Sequence, residues 1–452
     1  MNMSEKKTSE TKMSRRKYIA AAGAAVVVVA AGGAAYYLTT PKPGATTPTG
    51  SPTGSPTPTG SPKPPVKFGI AAGITGRRSG VGADARDAIL VAVEEINQKG
   101  GILGSRIDTV VEDTVDQEAG QMTSVFLKLI EREKVDCILQ HWGNNGVSEF
   151  DIAQDKKTPL LSSGAVQNAE AKISPDPNKY SYVYLTLPSY GLYKTRWPET
   201  VDKWEKAGKY KPINHKVGII TRTMEYPLFI SNGMKETFGK LGWTVAFEEV
   251  IPTAKVEDWS AILSKVRADP PAVVVSTITD PSSDALFIKQ FRENPTPTLI
   301  YQQASPNDPE YVEMTKGGLS DGVYQVYPVR KIAADHPYTV KFKSKYNRAP
   351  SPYGYIMYDA TYIMNEAMKN AGDPFNREAV TKALLATDFV GVMGRYKMDP
   401  KTHLPLSGPD YIPFPLWQMW SGVNYMVDPE NIAEKPFTYP AWYESALAKY
   451  KK

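Results

Sequence analysis

The chain has 452 residues, 41% of them hydrophobic and 22% charged, which is long enough for two domains with real cores. Its net charge of +5 shrinks to +1 once the first 18 residues, with six Lys/Arg against Glu5 and Glu10, are set aside, so no nucleic-acid partner is expected. One cysteine, Cys137, excludes an intrachain disulfide, and four scattered histidines form no paired ligand set, so neither metal nor cofactor is expected.

Residues 1–40 read as an export signal or membrane anchor. Arg15, Arg16 and Lys17 precede Ile19–Leu38, a run without a charge. At 1.5 Å per residue it spans roughly 30 Å, the thickness of a bilayer core. Ser14-Arg15-Arg16 resembles a twin-arginine export motif, with Tyr18 where Phe is usual, and Gly33-Ala34-Ala35 offers a small-x-small cleavage site. Residues 41–65 follow with nine prolines and no large apolar side chain. They cannot form a core and predict a solvated stalk, at most about 75 Å long as polyproline II. The rest of the chain is therefore expected outside the membrane, tethered through its N-terminal segment or released after signal cleavage.

From Val66 onward, short aliphatic runs alternate with amphipathic stretches. Phe68–Ala72 predicts a strand and Gly73–Gly82 a Gly-rich loop. Ala85, Ala88, Ile89, Ala92, Val93 and Ile96 form one apolar stripe of a helix starting near Asp84, with Asp84 and Asp87 in its first turn. Strand Ile107–Glu112, helix Glu118–Glu131, strand Val135–Gln140, helix Ser148–Lys156 and strand Thr158–Ser162 continue the pattern. After a Pro- and Tyr-rich lull at Lys172–Pro188 it restarts with helix Leu192–Lys206, strand Lys216–Thr221, helix Phe229–Leu241 and strand Trp243–Glu248. Helix Trp259–Arg267, strand Ala272–Thr277, helix Ser283–Glu293 and strand Thr298–Tyr301 complete the second run. Helices Pro337–Tyr346, Tyr353–Ala371 and Arg377–Ala386 and strand pieces Gly394–Met398 and Phe414–Trp420 close the chain. The fold class is α/β, two doubly wound Rossmann-like lobes joined by a hinge. Lobe 1 is expected over 66–187 plus about 303–393 and lobe 2 over 188–302 plus about 394–428, with 429–452 an aromatic tail that only packs.

Taken in order, several pieces resemble the type I periplasmic binding proteins of the leucine/isoleucine/valine and amide/urea branch. Thr75-Gly76, Gly80-x-Gly82, Glu95-Ile96-Asn97 and Gly100-Gly101-Ile102-Leu103-Gly104 resemble that family's opening. Asp113 and Asp116 fit its acidic loop, Thr158-Pro159-Leu160-Leu161-Ser162 its strand-turn at the cleft, and Tyr358-Asp359-Ala360 and Gly391-x-x-Gly394 its late landmarks. The resemblance implies a clamp that closes on a small polar solute and delivers it to an ABC permease driven by an ATPase subunit.

It also implies a set of ligand-binding positions. Trp142 and Asn144 lie in the turn after the third strand, where Asn suits an amide or carbonyl as well as a carboxylate. Ser163 and Gly164 lie in the next strand-turn. Val166 stands where a hydroxyl is usual and Ser283 where an acid is usual, with Asp280 and Asp284 close enough to substitute. Tyr190, Tyr226 and Tyr353 would fall at the cleft mouth. With both usual ammonium partners missing, the ligand tilts from an α-amino acid toward a neutral amide or urea. A sensor module for a separate receptor is the alternative function. A nucleotide-dependent enzyme is the weaker reading: Gly80-Val81-Gly82-Ala83-Asp84-Ala85 satisfies G-x-G-x-x-A, but it lies too far from its strand, and Asp84 and Asp87 would repel a pyrophosphate.

Overall fold

The structure, a computed structural model, describes residues 63–76, 79–115, 118–143, 147–252 and 255–451. The expected export signal and all but three residues of the stalk lie outside the described residues, as do Arg77, Arg78, Asp116 and Asn144. No helix among the described residues is long and apolar enough to cross a membrane.

In the first lobe, β1 (Val66–Ala72) pairs in parallel with β2 (Ile107–Asp113) and β3 (Cys137–Gln140), and β4 (Leu160–Ser162) and β5 (Val183–Leu185) extend the sheet. Its order is β2-β1-β3-β4-β5. Every residue of β3, β4 and β5 is buried, as a parallel sheet covered on both faces requires. The connecting helices are α1 (Ser79–Gln98), α2 (Ala119–Leu127, continued by a π turn), α3 (Ser148–Asp155) and α4 (Val166–Ile173).

The second lobe repeats the plan. It has helices α5 (Leu192–Lys206), α6 (Glu225–Lys240), α7 (Ser260–Ala268), α8 (Pro281–Glu293) and α9 (Pro309–Met314). Its parallel strands β6 (Lys216–Arg222), β7 (Thr244–Ile251), β8 (Val273–Ser276), β9 (Leu299–Gln302) and β10 (Tyr324–Val326) run in the order β7-β6-β8-β9-β10. Each lobe therefore has one topological switch point, β1/β3 and β6/β8, and open α/β sheets bind ligands outside the strand ends at such points.

The chain then returns to lobe 1 through α10 (Pro337–Tyr346), α11 (Pro352–Asn370), α12 (Arg377–Leu385) and the hairpin β11 (Asp388–Val390)–β12 (Arg395–Lys397). α11 packs along α1. Asp359 on α11 accepts the backbone N–H groups of Val392 and Met393, both at 2.8 Å, and a Cβ on Gly391 would lie 2.5 Å from its carboxylate. The two late landmarks of the sequence thus meet, as a structural joint. Finally β13 (Leu416–Trp420) and β14 (Val423–Asp428) add two antiparallel strands to the edge of the second sheet, and α13 (Ala441–Tyr450) buries Trp442 and Tyr443 in the second core.

The buried side chains form two separate cores, one per lobe, and Tyr190 packs against both. The crossings fall later than expected. Segment 303–326 stays with lobe 2, because β10 completes that sheet, and Tyr396, Met398, Leu404 and Ile412 stay in the core of lobe 1. The three crossings therefore lie near residues 188–192, 327–328 and 413. The last two are joined: Tyr327 N–H donates to the Pro415 carbonyl at 3.3 Å, and Trp417 Nε1 donates to the Tyr327 carbonyl at 3.4 Å.

The opening glycine stretch also differs from expectation. α1 starts at Ser79, so Gly80 and Gly82 are helical and cannot form the turn of a dinucleotide fingerprint. Asp84 and Asp87 lie beyond the first turn and are nearly buried, paired with Arg348; Asp84 also accepts the Ser351 N–H. They tie α1 to the approach of α11.

Candidate ligand-binding cleft

Just past four of the central strands a non-glycine residue adopts left-handed backbone: Trp142 (φ 53°) after β3, Ala165 (52°) after β4, Thr279 (56°) after β8 and Ala304 (64°) after β9, as do Val115 after β2 and Ser421 after β13. Residues in that region cost on the order of 1–3 kcal/mol each and gather at functional sites. Gly164 lets two of these loops touch, since a Cβ there would lie 2.1 Å from Gly143 N and 2.3 Å from Trp142 Cα. Gly82 does the same for the loop after β1, where a Cβ would lie 1.9 Å from the Gly73 carbonyl oxygen. Asp113 holds that loop from below, accepting from the N–H groups of Ile74 at 2.9 Å and Thr75 at 3.3 Å and from the Thr75 hydroxyl. Burial works against it, yet these bonds and the Val115 N–H keep its carboxyl below the ordinary range.

The lobe 1 wall is aromatic. His141 is buried, stacks on Trp142 at 4.8 Å, and has Nδ1 3.2 Å from Ser163 Oγ. The Trp142 N–H donates to the same oxygen at 3.4 Å. Tyr353, at the start of α11, stands edge-on to both rings, 5.0 Å from His141 and 4.9 Å from Trp142. Its hydroxyl oxygen accepts from Tyr327 at the second crossing, at 3.1 Å.

Lobe 2 and the first crossing supply the facing rings. Tyr226, second residue of α6, lies edge-on to Tyr190 at 6.2 Å and to Tyr193 at 5.9 Å. Gln303, one residue past β9, donates to its hydroxyl at 3.2 Å. Burial first, and then neighbouring phenols of this same group, push Tyr190, Tyr193 and Tyr327 well above the ordinary tyrosine range. Tyr190 and Tyr327 nevertheless keep accessible surface. These are crowded phenols that still meet solvent. Two depressions, of about 730 Å³ beside α1 and β2 and about 420 Å³ beside Trp204 and Phe437, lie on other faces.

Residues 65–408 match the sequence family described as periplasmic binding protein. The chain belongs to that family. Among curated relatives, "Leu/Ile/Val-binding protein homolog 8" of Brucella abortus is 24% identical over 335 residues, covering 72% of this chain and 80% of the relative. A leucine-, isoleucine-, valine-, threonine- and alanine-binding protein of Pseudomonas aeruginosa is 23% identical over 352 residues, covering 75% and 87%. Among solved structures, a candidate branched-chain amino acid ABC transporter protein from Silicibacter pomeroyi superposes with a TM-score of 0.79 at 26% identity, covering 84% of this chain and 100% of that one.

Within this periplasmic binding protein, the residues expected at the site divide into two groups. Trp142, Ser163, Gly164, Tyr190, Tyr226 and Tyr353 come together around the strand ends. Val166 does not: it is fully buried in the first core, because it opens α4 with its side chain turned inward. Ser283 does not either. It is fully buried, its Oγ accepts the Val256 N–H at 3.0 Å, and its carbonyl accepts Trp259 Nε1 at 2.9 Å. Asp280 caps α8, accepting the Ser283 N–H at 2.8 Å and Ser282 Oγ at 3.1 Å, with Arg222 at 3.7 Å. Burial opposes these contacts, but together they hold its carboxyl below the ordinary range. Sequence reading missed His141, Tyr193, Gln303 and Tyr327. The available signal was position, since each directly follows a strand or opens a helix beside one.

Proposed function

We propose that this chain is an extracytoplasmic solute-binding protein that captures a small solute between its lobes and hands it to an ABC permease and ATPase. It acts by binding rather than catalysis. The observation that carries the reading is the pair of equivalent switch points, whose loops carry Trp142 in one lobe, with Tyr353 packed against it, and Tyr226 in the other, with Tyr190 packed on both cores. Branched-chain amino acid binding, named for the relatives above, is the starting point for its ligand search. The stalk of residues 41–65 fits a domain held close to its permease by an N-terminal membrane segment, which raises its local concentration there. A thermal-shift panel tests the reading. A cognate solute at 100 times its dissociation constant adds about 2.7 kcal/mol to the folded state. Tyr226→Ala should weaken that solute at least tenfold in calorimetry, and unchanged affinity would remove Tyr226 from the site.

A further inference from the structure

We propose that the cleft takes a solute with a planar aromatic ring and no cationic group, an aromatic carboxylate or phenol, in preference to an aliphatic zwitterion. This rests on the solute-binding reading above. Three observations lead to it.

The first is the wall. Trp142, Tyr353 and Tyr327 form one linked group at lobe 1 and the second crossing, and Tyr190, Tyr193 and Tyr226 form another at the first crossing and lobe 2. Most contacts within the two groups are edge-on, with interplanar angles of 66° to 86° between Tyr190, Tyr193 and Tyr226 and 78° between Trp142 and Tyr353. Edge-on pairing satisfies the ring quadrupoles and leaves faces for an incoming planar group.

The second is charge. A cation enclosed in a closed cleft needs an acidic partner or several acceptors. Among the described residues, the nearby acids are engaged. Asp113 braces the loop after β1, and Asp280 caps α8 beside Arg222. Asp284 is fully buried between Ser276 Oγ at 2.7 Å and Ser305 Oγ at 2.5 Å. Glu149 is fully buried and accepts from Gln140 Nε2 at 3.0 Å. Glu170 accepts the Ser189 hydroxyl at 2.6 Å. Glu225 remains at the exposed rim, where water competes for any ion pair.

The third is polarity. The hydroxyl of Tyr226 both donates and accepts, so it matches a phenol or carboxylate oxygen. The start of α4 follows a cleft loop with no side-chain cap and no acid in its first turn, and helix N-termini favour negative over positive charge.

The test measures binding of the purified protein to benzoate, 4-hydroxybenzoate and phenylacetate against leucine, isoleucine, valine, acetamide and urea, by calorimetry and melting temperature. The expected result is at least one aromatic acid bound tenfold or more tightly than every aliphatic probe, with a change in tryptophan fluorescence. Tyr353→Phe should keep that affinity within threefold, whereas Tyr353→Leu, similar in bulk without a ring, should lose tenfold. Leucine, isoleucine or valine binding more tightly than all three aromatic acids overturns the inference and leaves the solute-binding reading standing. Failure of every probe to bind overturns the inference and withdraws support from that reading as well. Equal affinity of the Tyr353→Leu variant for the aromatic probe overturns the ring contact.

Discussion

Asp284 shows how much one side chain's surroundings decide. The sequence offers it as a carboxylate near the cleft. The structure buries it completely, and burial drives its pKa to about 7 against the opposing bonds from Ser305 and Ser276. Since the unfolded value is about 3.9, the folded chain holds the extra proton between about pH 4 and 7. Its contribution to stability is fully present below that window and is lost as pH rises through it. Asp284→Asn keeps the shape and removes the titration. Its melting temperature relative to wild type should therefore climb by several degrees between pH 4.5 and 8, and a gap independent of pH would refute the assignment. Val166 and Ser283 teach the same lesson by failure. A resemblance can align a position with a site, but the direction of its side chain depends on packing partners distant in sequence.

At the scale of elements, what was legible is what has length. Helices of ten residues or more carry enough turns for an apolar stripe, so Leu192–Lys206 and Pro337–Tyr346 are placed to the residue. β5 and β10 have three residues each, too few for any alternation, and the crossings were misplaced because β10 was invisible. The glycine loop was shortened for a different reason: Gly80 and Gly82 are poor helix formers that nonetheless stand in α1, where Gly82 lets the Gly73 carbonyl pass close. The aromatic tail packs on lobe 2. Trp442 donates to the Asp321 carbonyl at 2.8 Å and stands edge-on to Phe291 at 5.4 Å, while Tyr443 stacks on Tyr439 at 4.7 Å. Losing one buried aromatic costs about 3–5 kcal/mol. Truncation after Thr438 should therefore lower the melting temperature of lobe 2 by more than about 5 °C. An unchanged melt would show that α13 is an appendage.

For the whole molecule, the decisive fact is that two cores meet only at a narrow waist. Among the described residues, Tyr190 is the single side chain packed against both, and three crossings join the lobes. Strand order is equivalent in the two, so each lobe has its own sheet, helices and buried interior and can unfold as a unit. Calorimetry of the ligand-free protein should accordingly depart from two-state behaviour, with a van't Hoff enthalpy below the calorimetric one. A solute held by Trp142 and Tyr353 on one side and Tyr226 on the other binds only when both lobes are folded. Its binding energy then opposes the unfolding of either lobe and couples them, so saturation should merge the melt toward a single transition at higher temperature. The truncation after Thr438 separates the contributions, since it weakens lobe 2 and should widen the gap between the two transitions without ligand. A ligand-free protein that melts in one two-state step, with equal enthalpies, would mean the waist is stiffer than its contacts suggest. A cognate ligand that raises only one of two transitions would mean the solute is held by one lobe and the clamp does not close on it.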